Sequence, residues 1–109
     1  MYSTQATNQG IIDLNGGGNF ILINGGNVEA DGFDSPTYYV NGVVGTAITL
    51  NTWTHVTITT ATQITVSNLV IGKEGTNYFE GQLKGVKMFG RVVSDADEIS
   101  QIMWETWNK

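Results

Sequence analysis

Three short apolar runs in this chain end in the same dipeptide, and that ending limits the fold more than any other feature. Ile11-Ile12-Asp13-Leu14 runs into Asn15-Gly16, Phe20-Ile21-Leu22-Ile23 into Asn24-Gly25, and Thr37-Tyr38-Tyr39-Val40 into Asn41-Gly42. Asn-Gly reaches positive φ at little steric cost, so an apolar run closed by it reads as a strand turning back on its neighbour. The first two runs predict a β-meander, preceded by a polar and loose segment over residues 1–9. Thr37 to Val40 predicts a hairpin whose second strand lies within Val43 to Leu50.

Further along, Trp53 to Thr60 alternates, with Val56 and Ile58 on one face and Trp53, His55 and Thr57 on the other. Gln63 to Val66 and Asn68 to Ile71 read as two more strands, Lys73 to Asn77 as a polar loop, and Tyr78 to Phe89 as a long strand bent at Gly81 and Gly85. The period then changes. Ser94 is followed by Asp95, Asp97 and Glu98, which is an N-cap with carboxylates at the positive end of a helix dipole. Ala96, Ile99, Met103 and Trp107 recur every three or four residues and predict one amphipathic helix over 95–107, docked on the strands. The expectation is an all-β, antiparallel β-sandwich with one C-terminal α-helix. A chain of 109 residues makes this a single domain over 1–109, with no room for a second core.

Charge and composition exclude several functions. The net charge is −5 with only five basic residues, too few for a phosphate-binding stripe, so nucleic acid is not an expected partner. The same sign disfavours anionic membrane surfaces, and no apolar run approaches the roughly 20 residues of a membrane span. Without cysteine there are no disulfides, thiolate metal sites or cysteine nucleophiles. Met1 to Gln5 lacks the basic and apolar regions of a signal peptide. The Gly-rich stretch Asn15 to Asn19 lacks Gly-Lys-Ser/Thr and precedes a strand, so it is not a phosphate loop.

From Trp53 onward four pieces stand in order: Trp53-Thr54-His55-Val56, Leu69-Val70-Ile71-Gly72, Phe79-Glu80-Gly81-Gln82-Leu83-Lys84-Gly85-Val86, and Arg91-Val92-Val93-Ser94 before Glu98-Ile99. Together they resemble the laminin-G-like branch of the concanavalin A-like lectin and glucanase superfamily, which is a jelly roll. Tyr39-Val40-Asn41-Gly42 stands before the Trp-x-His-Val strand, whereas in that family the corresponding hairpin follows it. The resemblance implies a jelly-roll sandwich and a binding role in an extracellular or virion-associated setting. It carries no catalytic residue onto this chain.

Three groups of residues are candidates for chemistry. Trp53 and Tyr78, beside turns, offer rings for the apolar face of a sugar, and Asn51 and Asn77 are polar neighbours able to hold hydroxyls. The competing reading is that each ring finishes the core. Glu29, Asp31 and Asp34, with Asn27 nearby, form a candidate calcium site, against a solvated acidic turn before Pro36. The same stretch is similar to the Glu-x-Asp-x-x-Glu of laminarinase-type glycoside hydrolases, with Asp34 one methylene short at the last position. His55, the single histidine, cannot assemble a multi-histidine zinc site and reads as structural and hydrogen-bonded. Trp107 reads as core, and Trp104, off the helical stripe, as a partner contact.

The expected function is a non-catalytic, lectin-like module binding carbohydrate or a protein partner. The alternative is an assembly protein that forms a homo-oligomer through an open sheet edge. A remoter one is the hydrolase.

Overall fold

The computed structural model describes residues 1–88. The helix expected over 95–107, the end of the expected strand at Phe89, and the Arg91 to Ile99 motif lie outside the described residues, as do Trp104 and Trp107. Within them the chain is all-β, and every strand pairing is antiparallel.

The meander forms where the Asn-Gly signals place it. Strands β2 (Gln9–Asp13), β3 (Phe20–Asn24) and β4 (Asn27–Asp31) lie side by side, and β8 (Val70–Ile71) adds to the outer side of β2. Gly25 and Gly26, both at positive φ, close the β3–β4 turn between the paired Asn24 and Asn27. The second sheet has three strands: β5 (Thr37–Val40) in the centre, flanked by β6 (Val43–Val44) and β7 (Val56–Thr59). Here too the turn is Asn-Gly, with Asn41 at φ 52° and Gly42 at φ 79°, the pair of left-handed residues that a two-residue hairpin loop demands.

The two sheets are joined along β4. Val28 and Ala30 point inward and are buried, while Glu29 and Asp31 alternate outward. The backbone groups of β4 on the side away from β3 are not left to solvent. Val28 N–H donates to the Thr46 carbonyl, the Gly26 carbonyl accepts from Ile48 N–H, and Ala30 N–H donates to the Tyr38 hydroxyl of β5. The edge of the meander is therefore covered by the second sheet and by the loop between β6 and β7, which satisfies groups that would otherwise template association. Among the described residues, Ile12, Leu14, Ile23, Val28, Ala30 and Tyr39 are the buried apolar side chains, and Ile23 is wholly enclosed.

The amino-terminal segment is not loose. Strand β1 (Tyr2–Ser3) pairs with β11 (Gly81–Gln82), and Ser3 is buried. The buried Gln9 accepts from Glu80 N–H at 2.6 Å through its amide oxygen. Long-range partners order a stretch whose own composition gives no reason for order.

The later strands are shorter than their composition predicts. Gln63 to Val66 forms no strand, and of Asn68 to Ile71 only β8 pairs. The polar stretch after Gly72 is instead a hairpin, β9 (Lys73–Glu74) and β10 (Asn77–Tyr78), turning at Gly75 and Thr76. Of the long strand expected from Tyr78, only the end of β10 and then β11 are extended pairs.

The Gly-rich loop after β2 is held by a buried carboxylate. Asp13 Oδ1 accepts from Asn15 N–H at 3.2 Å and Gly17 N–H at 2.9 Å. Asn15 and Asn19 bond to each other across the loop, and Leu14 N–H donates to the Asn19 carbonyl. The amides of Asn15, Gly17 and Asn19 are thus turned onto the loop's own side chains.

Candidate functional site

The four residues expected to bind a ligand fall into two separate groups. Asn51 and Trp53 sit on the loop before β7. That loop is fastened to β1 by Asn51 N–H to the Ser3 carbonyl, Thr54 N–H to the Met1 carbonyl, and a bridge between Tyr2 and Trp53. The Trp53 ring lies 5.8 Å from the Tyr2 ring at 57°, the tilted geometry that aromatic quadrupoles prefer. Asn51 is held at φ 57° and is exposed, and Trp53 keeps 37% of its surface in solvent. This is a ring braced by Tyr2 and partly in solvent, with an amide two residues away.

Tyr78 and Asn77 lie on β10 instead, and both are already engaged. The Lys73 ammonium stands 5.0 Å over the Tyr78 ring, a cation–π contact that occupies one face. The Asn77 amide donates to Glu74 Oε2 at 3.2 Å. Among the described residues, Tyr2 is the ring partner of Trp53, and nothing draws Tyr78 to that pair.

The acidic candidates are not gathered into a metal site. Glu29 and Asp31 are exposed on the outer face of β4, so they lie on a strand and not in an acidic turn. Asp34 follows Gly32, whose φ of 76° turns the chain, and its backbone is anchored to Thr60 and Ala61. Among the described residues no three His, Asp or Glu side chains converge closely enough to hold a metal ion.

His55 is buried, and its backbone is locked to the hairpin turn. Its N–H donates to Asn41 Oδ1 at 2.9 Å, and its carbonyl accepts from Asn41 N–H at 2.8 Å. Thr54 and His55 are both buried and β7 is half-buried throughout, so the alternation read from Trp53 onward does not show in the burial of these residues. The ring does not make the hydrogen bond expected of it: Nδ1 has no partner among the described residues. Burial pushes the His55 pKa below the ordinary 6.5, and the amino-terminal charge and Lys87 push the same way.

The sign of the resulting pH dependence follows. Below about pH 6.5 the unfolded chain takes up a proton that folded His55 refuses, so the unfolded state binds more protons. The stabilisation is complete above the unfolded pKa and drains away as pH falls toward the folded one. Urea midpoints at pH 7.5 and 5.5 should therefore differ more in the native chain than in His55→Gln. Equal differences would show that the ring contributes nothing.

One feature carries no local sequence signal. Between the sheets lies an apolar cleft of about 810 Å³, walled by residues that include Ile12, Leu14 and Ile21 of the meander and Val56 and Ile58 of β7. Trp53 and His55 line it; Asn51, Asn77 and Tyr78 do not. Ile64 and Val66, whose alternation reads as a strand, line it from a loop. The alternating apolar residues were visible in the sequence, but the distance between the sheets was not.

No protein-family model, curated protein or solved structure matches the chain.

Proposed function

We propose that this chain is a non-catalytic, lectin-like binding module whose ligand meets the rim formed by Tyr2, Trp53 and Asn51. The observation that carries this reading is the exposed Trp53 ring, braced on Tyr2 and fixed by backbone bonds on both sides. A braced ring loses little freedom on binding, and its face suits the CH-rich side of a pyranose while an adjacent amide serves the hydroxyls. Carbohydrate is the ligand class that fits this pairing. The quoted motifs support the finer reading of the fold as a laminin-G-like jelly roll, and of the setting as extracellular or virion-associated.

A glycan-array screen of the purified chain tests the reading. Binding is expected, and Trp53→Ala is expected to weaken it by at least about 30-fold, the loss typical of a buried aromatic anchor. Trp53→Phe should retain most of it, and Tyr78→Ala all of it. Equal losses in Tyr78→Ala and Trp53→Ala would show that the rim is misplaced.

A second reading, an assembly protein, is favoured by β6. This strand is the edge of its sheet, and Val43 and Val44 are 68% and 70% exposed with no charged residue beside them. No glycan bound, together with a defined oligomer by light scattering, would favour this reading over the first.

A further inference from the structure

The fold holds the three Asn-Gly pairs of the chain, Asn15-Gly16, Asn24-Gly25 and Asn41-Gly42, in different ways. In each, the asparagine side chain can be attacked by the backbone nitrogen of the glycine that follows, which no Cβ shields. The reaction depends on how freely the side-chain carbonyl carbon, Cγ, can approach that nitrogen.

Two of the three are tied down. Asn15 is half-buried. Its Oδ1 accepts from Asn19 N–H at 2.7 Å, and its Nδ2 donates to Asn19 Oδ1 and to the Thr65 carbonyl. Asn41 Oδ1 accepts from His55 N–H at 2.9 Å, while Asn41 N–H donates to the His55 carbonyl at 2.8 Å. Swinging Cγ of Asn41 toward the next nitrogen would leave the N–H of buried His55 without its acceptor.

Asn24 is held more loosely. It is exposed at the last position of β3, and Gly25 is exposed beside it. Its Nδ2, the group that must leave, has no partner among the described residues, while its Oδ1 accepts from the Thr7 hydroxyl at 2.7 Å. Thr7 is itself exposed, so the hydroxyl can follow the amide as it turns. A hydroxyl donating to a carbonyl oxygen stabilises the oxyanion that forms when the carbon is attacked.

We propose that Asn24-Gly25 is a self-modification site, at which the Gly25 nitrogen closes on the Asn24 side-chain amide, expels ammonia and leaves aspartate or isoaspartate, with the Thr7 hydroxyl polarising the reacting carbonyl. The Gly25 nitrogen loses its proton to hydroxide and bonds to Cγ. The Cγ–Nδ2 bond breaks, and water protonates the departing nitrogen, which returns the hydroxide. Water then opens the cyclic imide at either carbonyl. The isoaspartyl product carries an extra backbone carbon inside a turn that is anchored next door, where Gly26 N–H donates to the Ala6 carbonyl and the Gly26 carbonyl accepts from Ile48 N–H.

The test follows the full 109-residue chain at mildly alkaline pH by peptide mapping, with fragmentation that separates aspartate from isoaspartate. Deamidation at Asn24 is expected several-fold faster than at Asn15 or Asn41. In urea, where the fold is lost, the three sites should react at similar rates. Equal or faster reaction at Asn15 or Asn41 in the folded chain, or the same ranking in urea, would overturn the proposal. Thr7→Val should slow Asn24 several-fold in the folded chain and leave its rate in urea unchanged, while Thr7→Ser keeps the native rate. A folded Thr7→Val chain that deamidates at the native rate would overturn the role given to the hydroxyl.

Discussion

Replacing Ile23 by alanine lowers the stability of the chain by about 3–4 kcal/mol. Ile23 is the wholly enclosed apolar side chain, placed on β3 between Gln9 of β2 and Val28 of β4. Removing three carbons there forfeits their transfer from water and leaves a cavity that the flanking strands cannot collapse, because both are hydrogen-bonded at fixed spacing. For a domain of this size that is a large share of a total of about 5–15 kcal/mol. In urea, with a slope of about 1–2 kcal/mol per molar, the midpoint should move down by about 2 M. Ile23→Val, which removes one carbon, should cost only about 1 kcal/mol. An alanine variant within about 1 kcal/mol of the native chain would mean that β3 is not the centre of the core.

Gly10→Ala is expected to cost about 2–3 kcal/mol, although it adds a single methyl group to a strand. Gly10 is buried on β2, next to a register irregularity between Gly10 and Ile12. A Cβ there would strike the Glu74 nitrogen and the Asn77 carbonyl oxygen, and would stand 2.8 Å from the Lys73 carbonyl carbon. All of these are backbone atoms of the β9–β10 hairpin, so no side chain can swing aside and the hairpin itself must move. Gly18→Ala is the matched comparison. Its Cβ would meet only the Asn15 side chain, at 3.0 Å, which can yield, and a change under about 0.5 kcal/mol is expected. Thermal or urea unfolding of the two variants decides the matter. Equal effects would mean that the hairpin does not lie against β2.

What could be read from the sequence was what is determined locally. Asn41-Gly42 specifies its turn by the φ values both residues tolerate, and the turn after Asn24 forms one residue later, on Gly25 and Gly26. The strands they join follow, since the register is set by the turn. Pairings between distant segments carry no such mark. Tyr2 with Gln82, and Gln9 with Glu80, order a terminus that is polar and unpatterned taken alone. Ile64 and Val66 alternate like a strand but face the cleft from a loop, because β8 and not their segment takes the place beside β2. At the site, Trp53 and Asn51 were legible as a ring and an amide beside a turn. Tyr78 and Asn77 matched the same description, and only the neighbours Lys73 and Glu74, turned toward them by the unexpected hairpin, set them apart. The carboxylates Glu29 and Asp31 read as a cluster by spacing, while the pleat of β4 directs them outward.

The pairing of β1 with β11 also has a consequence in time. During synthesis, at roughly 5–20 residues per second, Tyr2 emerges several seconds before Gln82, its partner in the sheet. The meander can close on itself early, since its connections are short, residues 14–19 between β2 and β3 and Gly25 and Gly26 between β3 and β4. The first strand cannot, and Trp53, which leans on Tyr2, is braced only after that strand has docked. Contacts separated by most of the chain cost the most loop-closure entropy and slow the search for the native state. Pairing of β1 with β11 thus waits for most of the chain, whereas the contacts of the first strand with Asn51, Trp53 and Thr54 need only its first half.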